Sequence, residues 1–309
     1  MSAPLRVCLI DTDPGTDDAI ALWLAIASAE LDLRLVTVAG GNAGLARTLR
    51  NARAVVGLAR AAVPVVAGAE RPLLGAFTPE PRVHGPDGLG GVALPEGPPA
   101  APGIAADAIR ALLRAEPRVT LIGIGPVTNL ALALACEPAL AAHVEEIVLM
   151  GGALAEGNVT PSAEFNAWSD PEALAVLLGC GRPVTLATLE LTAQALVTPA
   201  RIAALRAAGG GACLSAAVRI LEAVPPSRRF GGAGFPLHDP CAVAWLLAPA
   251  LFTWREAHAA VECGPGAGRG RTILDRWGRS GGRPNARLLE TLDAEGFFAL
   301  LGQRLSRLP

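Results

Sequence analysis

The chain has 309 residues, 51% of them hydrophobic and 17% charged, with a net charge of -2. That length and polarity suit a single large α/β domain with a covered core, and the interspersed charges leave no basic stripe for nucleic acid. All 26 basic residues are arginine and there is no tyrosine, so Schiff-base lysines, Walker-type phosphate loops and Ser-Lys chemistry are excluded.

Mean hydropathy is high, yet polar or turn residues interrupt every apolar stretch before it reaches the roughly 18 residues of a membrane span. Met1 to Arg6 runs into an apolar strand without the features of a secretory leader, which points to a cytoplasmic protein. Cys8, Cys136, Cys180, Cys213, Cys241 and Cys263 are scattered without a C-x-x-C pair. They read as reduced core residues rather than zinc ligands or disulfides.

In chain order, Leu5 to Ile10 predicts a buried strand and Ala19 to Ala29 an apolar helix, with Asp17 and Asp18 in its first turn. Leu33 to Ala39 predicts a second strand, Leu45 to Arg60 a helix and Val63 to Ala67 a third strand. Further strands are expected at Val119 to Ile122, Ile147 to Leu149 and Val184 to Ala187. Helical patterns at Ile104 to Arg114 and Pro171 to Leu178 separate them. This βαβ alternation implies a Rossmann-like open, mostly parallel sheet flanked by helices.

Two Pro/Gly-rich stretches, 75–103 and 225–236, have no period and read as lid loops outside the core. Gly264 to Gly270 is a third irregular stretch. His238-Asp239-Pro240 opens another helix, and Asp293 to Leu305 is an amphipathic closing helix.

The densest chemistry lies in Asp11-Thr12-Asp13-Pro14-Gly15-Thr16-Asp17-Asp18, with four carboxylates in eight residues directly after a strand. Like charges so close repel and hold on to protons unless a cation or several donors hold them ionised. Pro14 and Gly15 sharpen the turn, so that carboxylates on either side can converge at the strand's carboxyl end, where ligands bind in open α/β sheets. Helix capping accounts for one or two aspartates, not four. An EF-hand counted from Asp11 fails, because Thr16 and Leu22 stand where Gly and Glu are needed. An aspartate-dependent phosphatase of the D-x-D-x-T kind stays open, although Gly15 stands where it would place a hydroxyl.

The string Asp11 to Leu22, D-T-D-P-G-T-D-D-A-I-A-L, resembles the N-terminal signature of the inosine-uridine-preferring nucleoside hydrolase family. Gly41-Asn42, Glu156-Gly157-Asn158 through Ala163-Glu164-Phe165-Asn166, and Leu237-His238-Asp239-Pro240-Cys241 match in order. Gly151-Gly152 and Asp170-Pro171-Glu172-Ala173 also fit. The similarity runs from about Leu5 to the closing helix.

The resemblance implies hydrolysis of the N-glycosidic bond of ribonucleosides to ribose and free nucleobase, by a calcium-bound water activated by Asp13. It implies Ca2+ ligands at Asp13, Asp18, Asp239 and the backbone carbonyl of Ile124. Asp17, Asn42, Asn158, Glu164 and Asn166 correspond to contacts with the sugar. His238 resembles the histidine that faces the leaving base, with His84, Trp168 and Arg228 as further base-side or pocket-mouth candidates. A homodimer or homotetramer acting in purine or pyrimidine salvage is also implied. The family often places a tyrosine near the leaving base; with none here, the preferred base stays open. A nucleoside- or sugar-binding protein without turnover is a third possibility at this point.

Overall fold

The computed structural model describes residues 5–79 and 81–309. Met1–Pro4, part of the leader reading, and Glu80, within the predicted first lid, lie outside them. The strands in chain order are β1 (Arg6–Thr12), β2 (Leu31–Val38), β3 (Val65–Ala67), β4 (Val119–Gly123), β5 (Val144–Met150), β6 (Val184–Ala187), β7 (Leu196–Val197), β8 (Phe235–Pro236), β9 (Phe252–Val261), β10 (Thr272–Asp275) and β11 (Ala286–Leu292). Nine form one sheet in the order β10-β9-β11-β6-β5-β4-β1-β2-β3, while β7 and β8 make a separate antiparallel pair. The run from β11 to β3 is parallel, and β9 is antiparallel to both β11 and β10.

The expected open, mostly parallel sheet flanked by helices is the observed architecture. Both faces are covered, and the side-chain alternation of the strands shows it. In β1, Cys8 and Ile10 join the core on one face while Leu9 joins the core on the other; in β4, Ile122 and Leu121 divide in the same way. The helix Thr16–Ile26 is buried from Thr16 to Ala25, which suits a helix apolar on all sides. Its Trp23 indole N–H donates to the Val55 carbonyl at 3.0 Å, tying it to the helix Leu45–Leu58.

Element bounds differ from expectation by a few residues, except where the pattern carried no period. The stretch 75–103 is irregular apart from the turn Pro81–His84, but it does not hang free. Leu89, Val92 and Leu94 are buried in the same core as Trp23, so the expectation of a segment outside the core is corrected. The strands β9, β10 and β11, of which β9 runs antiparallel to the other two, follow no βαβ rhythm and went unpredicted.

Chain order places β1 between β2 and β4. The path runs outward from β1 through β2 and β3, then returns to β4 on the other side. This reversal opens a crevice beyond the carboxyl ends of β1 and β4. Asp13 and Ile124 follow those two ends directly.

Candidate active site

Two segments, the one that follows β1 and the one that opens the helix Pro240–Leu247, deliver acidic side chains to this crevice. Asp17, Asp18 and Asp239 each offer a carboxylate oxygen, all within 4.8 Å of one another. Asp13 lies beside them and is wholly buried. Its Oδ2 accepts the Asn42 main-chain N–H at 2.6 Å, whereas its Oδ1 has no partner. Asp18 is braced from several sides: Oδ1 accepts the Thr12 hydroxyl at 2.5 Å, and Oδ2 accepts the Gly15 N–H at 2.8 Å and the Asn42 amide at 3.3 Å.

The electrostatics follow from this crowding. Burial pushes the Asp13 carboxyl well above the usual range, and the charge of Asp18 adds to it. Asp239 is raised for the same reason, with Asp17, Asp18 and Asp13 as the neighbouring charges. Asp18 is raised by burial and by Asp17. A buried acidic group without a counter-charge keeps its proton. An all-oxygen set of this kind is what a hard divalent cation compensates, and Asp13 Oδ1 is an unpartnered acceptor beside it among the described residues. A Cβ at Gly41 or Gly125 would overlap the Asp13 carboxylate, so both positions require glycine for Asp13 to sit where it does.

Of the four carboxylates in the N-terminal run, Asp11 does not converge with the others. It shares the Leu9 face of β1, where its Oδ1 accepts the Thr37 hydroxyl at 2.6 Å and the Asn129 amide at 2.8 Å. Burial pushes it up to about 7. Because Asp11 and Asp13 face different surroundings, the chain has no D-x-D pair at one site, and the phosphatase expectation loses its geometric basis.

A cavity of about 680 Å³ opens above the acidic cluster, and Asp17, Asn42, Ile124, His84, His238 and Asp239 reach its wall. Asp13 and Asp18 lie beneath that surface. Asn158, Glu164 and Asn166 form a second arc of the wall, held together by their own bonds. Glu164 caps the helix Phe165–Ser169, with Oε1 accepting from Asn166 N–H at 2.9 Å and Oε2 from Gly152 N–H at 2.9 Å and Ala167 N–H at 3.0 Å. Burial raises its proton affinity against those donors. The Asn158 side-chain oxygen accepts the Phe165 N–H at 2.9 Å, and the Asn166 amide donates to the carbonyls of Met150 at 3.1 Å and Ile124 at 3.3 Å.

His84 Nδ1 accepts the Thr16 main-chain N–H at 3.1 Å. That donor has no alternative, so the ring proton sits on Nε2. The Asp17 Oδ1 to His84 Nδ1 distance is 4.0 Å, too long for a hydrogen bond. A Cβ on Gly15 would come within 2.6 Å of this ring nitrogen. His238 Nδ1 lies 2.6 Å from the Thr192 hydroxyl, and burial pushes the His238 pKa down.

The structure does not bring Trp168 or Arg228 to the cavity wall. Trp168 packs its backbone beneath Gly270, and Arg228 is exposed on the outer side of the turn Arg228–Phe230. The next residue, Arg229, does line the cavity; its guanidinium donates to the Gly157 carbonyl at 3.1 Å and lies 3.4 Å from Glu156. Glu190 went unpredicted. It lines the wall and accepts the N–H groups of Leu154 and Ala155, both at 2.9 Å. Its position just past the carboxyl end of β6 was the available signal.

Residues 8–299 match the family described as inosine-uridine preferring nucleoside hydrolase. The pyrimidine-specific ribonucleoside hydrolase RihA of Salmonella gallinarum is 41% identical over 304 residues, covering 96% of this chain and 97% of that protein. The Klebsiella pneumoniae RihA gives the same identity and coverage. Among solved structures, a purine-preferring ribonucleoside hydrolase from Gardnerella vaginalis superimposes with a TM-score of 0.90 at 29% identity, covering 98% of each chain. The plant nucleoside hydrolase PpNRh1 superimposes at 0.89, also at 29% identity, over 98% of this chain and 99% of that one.

Proposed function

The chain belongs to the inosine-uridine preferring nucleoside hydrolase family, and from that premise we propose that it hydrolyses the N-glycosidic bond of ribonucleosides, releasing ribose and the free base. The observation that carries the reading is the meeting of Asp17, Asp18 and Asp239 beside the unpartnered Asp13 Oδ1, at the floor of a cavity large enough for a nucleoside. Pyrimidine ribonucleosides are the proposed substrates, supported by the relatives at 41% identity.

The donor set fits Ca2+, with Asp13, Asp18, Asp239 and the Ile124 carbonyl as proposed ligands and Asp17 close enough to join them or to hold a sugar hydroxyl. When bound, the cation neutralises the clustered carboxylates and increases the acidity of a water beside them.

Asp13 is the proposed general base. Its Oδ2 is held by the Asn42 N–H, so Oδ1 is the oxygen left to take a proton from water. The water oxygen bonds to the anomeric carbon, its proton goes to Asp13, and the electron pair of the breaking C–N bond leaves with the base. The transition state carries oxocarbenium character, which the surrounding carboxylate charge stabilises. Asp17, Asn42, Asn158, Glu164 and Asn166 are the proposed contacts for the ribose hydroxyls. Leu221, Val224, Pro225, Phe230 and Phe235 give the cavity an apolar end suited to the base, with His84 and His238 as N–H donors towards it.

Homodimeric or homotetrameric assembly, cytoplasmic location and a part in nucleoside salvage are proposed on family likeness alone. The deciding assay incubates the purified protein with uridine, cytidine, inosine, adenosine and 2′-deoxyuridine and measures free sugar with and without calcium. Release from pyrimidine ribonucleosides that depends on calcium supports the reading; ligand binding without sugar release would turn it towards a binding protein.

A further inference from the structure

Thr192 and His238 meet because two distant segments are zipped together by main-chain bonds. Leu196 and Val197 pair with Pro236 and Phe235, and the Leu237 N–H donates to the Ala195 carbonyl at 3.0 Å. This short ladder sets Thr192, fully buried at the end of the helix Leu189–Thr192, against the His238 ring.

The Thr192 hydroxyl has one proton and two acceptors in reach. His238 Nδ1 lies 2.6 Å away and the Leu189 carbonyl 3.4 Å away. At those lengths the ring nitrogen is much the better acceptor. When the hydroxyl donates to Nδ1, the ring proton must sit on Nε2. His238 lines the cavity, and no hydrogen bond engages its Nε2 among the described residues. His84 reaches the same form by a different route, through the Thr16 main-chain N–H on its Nδ1.

We propose that Thr192 is a positioning residue that holds His238 as the Nε2–H tautomer, so that the neutral ring presents an N–H donor to the departing base. This rests on the hydrolase reading above. As the C–N bond breaks, its electron pair passes to the base, whose ring nitrogens and carbonyl oxygens become electron-rich. An Nε2–H aimed there strengthens its hydrogen bond as the charge grows, which is the kind of interaction that raises turnover rather than binding. No proton has to leave the imidazole; the released base takes one from solvent. The opposite tautomer would turn a lone pair towards the base and repel it. The contribution of Thr192 therefore scales with how much help a leaving group needs.

The test compares uridine with 4-nitrophenyl β-ribofuranoside, whose leaving group departs unaided, on Thr192→Val and Thr192→Ser proteins. Thr192→Val should lose about 10- to 100-fold in kcat on uridine with KM within about threefold, the range seen when a partner that orients a histidine is removed. On the nitrophenyl riboside its kcat should stay within about threefold. Thr192→Ser retains the hydroxyl and should stay within about threefold on both. Equal losses on the two substrates, or an unchanged kcat on uridine, would overturn the proposal. If Thr192→Val does not fold, imidazole 15N NMR of the calcium-loaded natural protein decides: the His238 resonances should report a protonated Nε2 and a bare Nδ1, and the reverse pattern refutes the assignment. Should the natural protein cleave neither substrate, the hydrolase reading fails, while the NMR result still decides the tautomer.

Discussion

The main-chain N–H of Asn42 donates to Asp13 Oδ2 at 2.6 Å, and Asp13 Oδ1 is left with no partner in a wholly buried pocket. One carboxylate thus has a fixed half and an available half, which leaves a single atom free for the proposed base chemistry. Asp13→Asn replaces the available oxygen or the accepting one with an amide nitrogen, and an amide is not a base at neutral pH. We expect kcat on uridine to fall by about 10³-fold or more with the circular dichroism spectrum unchanged. Retention of more than a tenth of the activity would remove Asp13 from its proposed role.

Calcium should stabilise the fold, and more so at higher pH. Buried acidic groups whose folded pKa is raised bind more protons folded than unfolded, so the metal-free protein loses stability as pH rises through the interval between the two values. For Asp11 that interval runs from the ordinary 3.8 to about 7, and Asp13 and Asp239 are likewise raised well above the ordinary carboxyl value by burial and neighbouring charge. A cation favours the ionised forms and counters the loss around Asp13 and Asp239. Differential scanning fluorimetry from about pH 5 to about pH 8 should show Tm falling in chelator, and a calcium-induced increase that grows with pH. At a free concentration of about 100 times Kd the gain is about 2.7 kcal/mol. A calcium effect that shrinks with pH would contradict the linkage.

Gly125→Ala should disable the enzyme without removing any charged group. The added methyl would overlap the Asp13 carboxylate, so either the side chain or the turn after β4 must move. We expect calcium affinity, measured by isothermal titration, to weaken by about 10-fold or more, together with a comparable or larger loss of kcat. Gly179→Ala meets no atom within 4 Å and serves as the control.

Arg228 and Arg229 are adjacent in sequence and both exposed, but of the two it is Arg229 that lines the cavity. Arg229→Ala removes a cavity-wall cation and its bond to the Gly157 carbonyl, freeing the loop that carries Asn158. KM for uridine should rise by about 5- to 50-fold, as for the loss of a charged hydrogen bond. Arg228→Ala should change KM by less than about twofold, since that side chain does not reach the cavity wall. Equal effects would mean that both arginines reach the nucleoside.

The crowded carboxylates after β1 made the site legible, because like charges at that density require compensation whatever the fold. Asp239, Glu164 and Asn166 were readable only as an ordered set of motifs, since each alone fits a helix start or a surface turn. Asp11 misled: its face is decided by the alternation of β1 and by the donors Thr37 and Asn129, which come from other elements. Trp168 and Arg228 were misplaced for a related reason. Which of two neighbouring side chains turns inward depends on backbone torsions in short helices and turns, and the type of residue does not encode them. Thr192 and Arg229 make their contacts with residues far apart in the chain, His238 and Gly157, and no local pattern marks those, whereas Glu190 was signalled only by its place after β6.

The meeting of Asp13 and Asp18 with Asp239 has a bearing on how this protein comes to be. Asp13 and Asp18 emerge early from the ribosome, but Asp239 belongs to a much later part of the chain, and they meet only when the helix Pro240–Leu247 has packed against the helix Thr16–Ile26. Loop closure over such separations is slow, so the cation cannot template the early stages of folding. Ion uptake would then be a late event, and its kinetics in a refolding experiment would time the completion of the native topology.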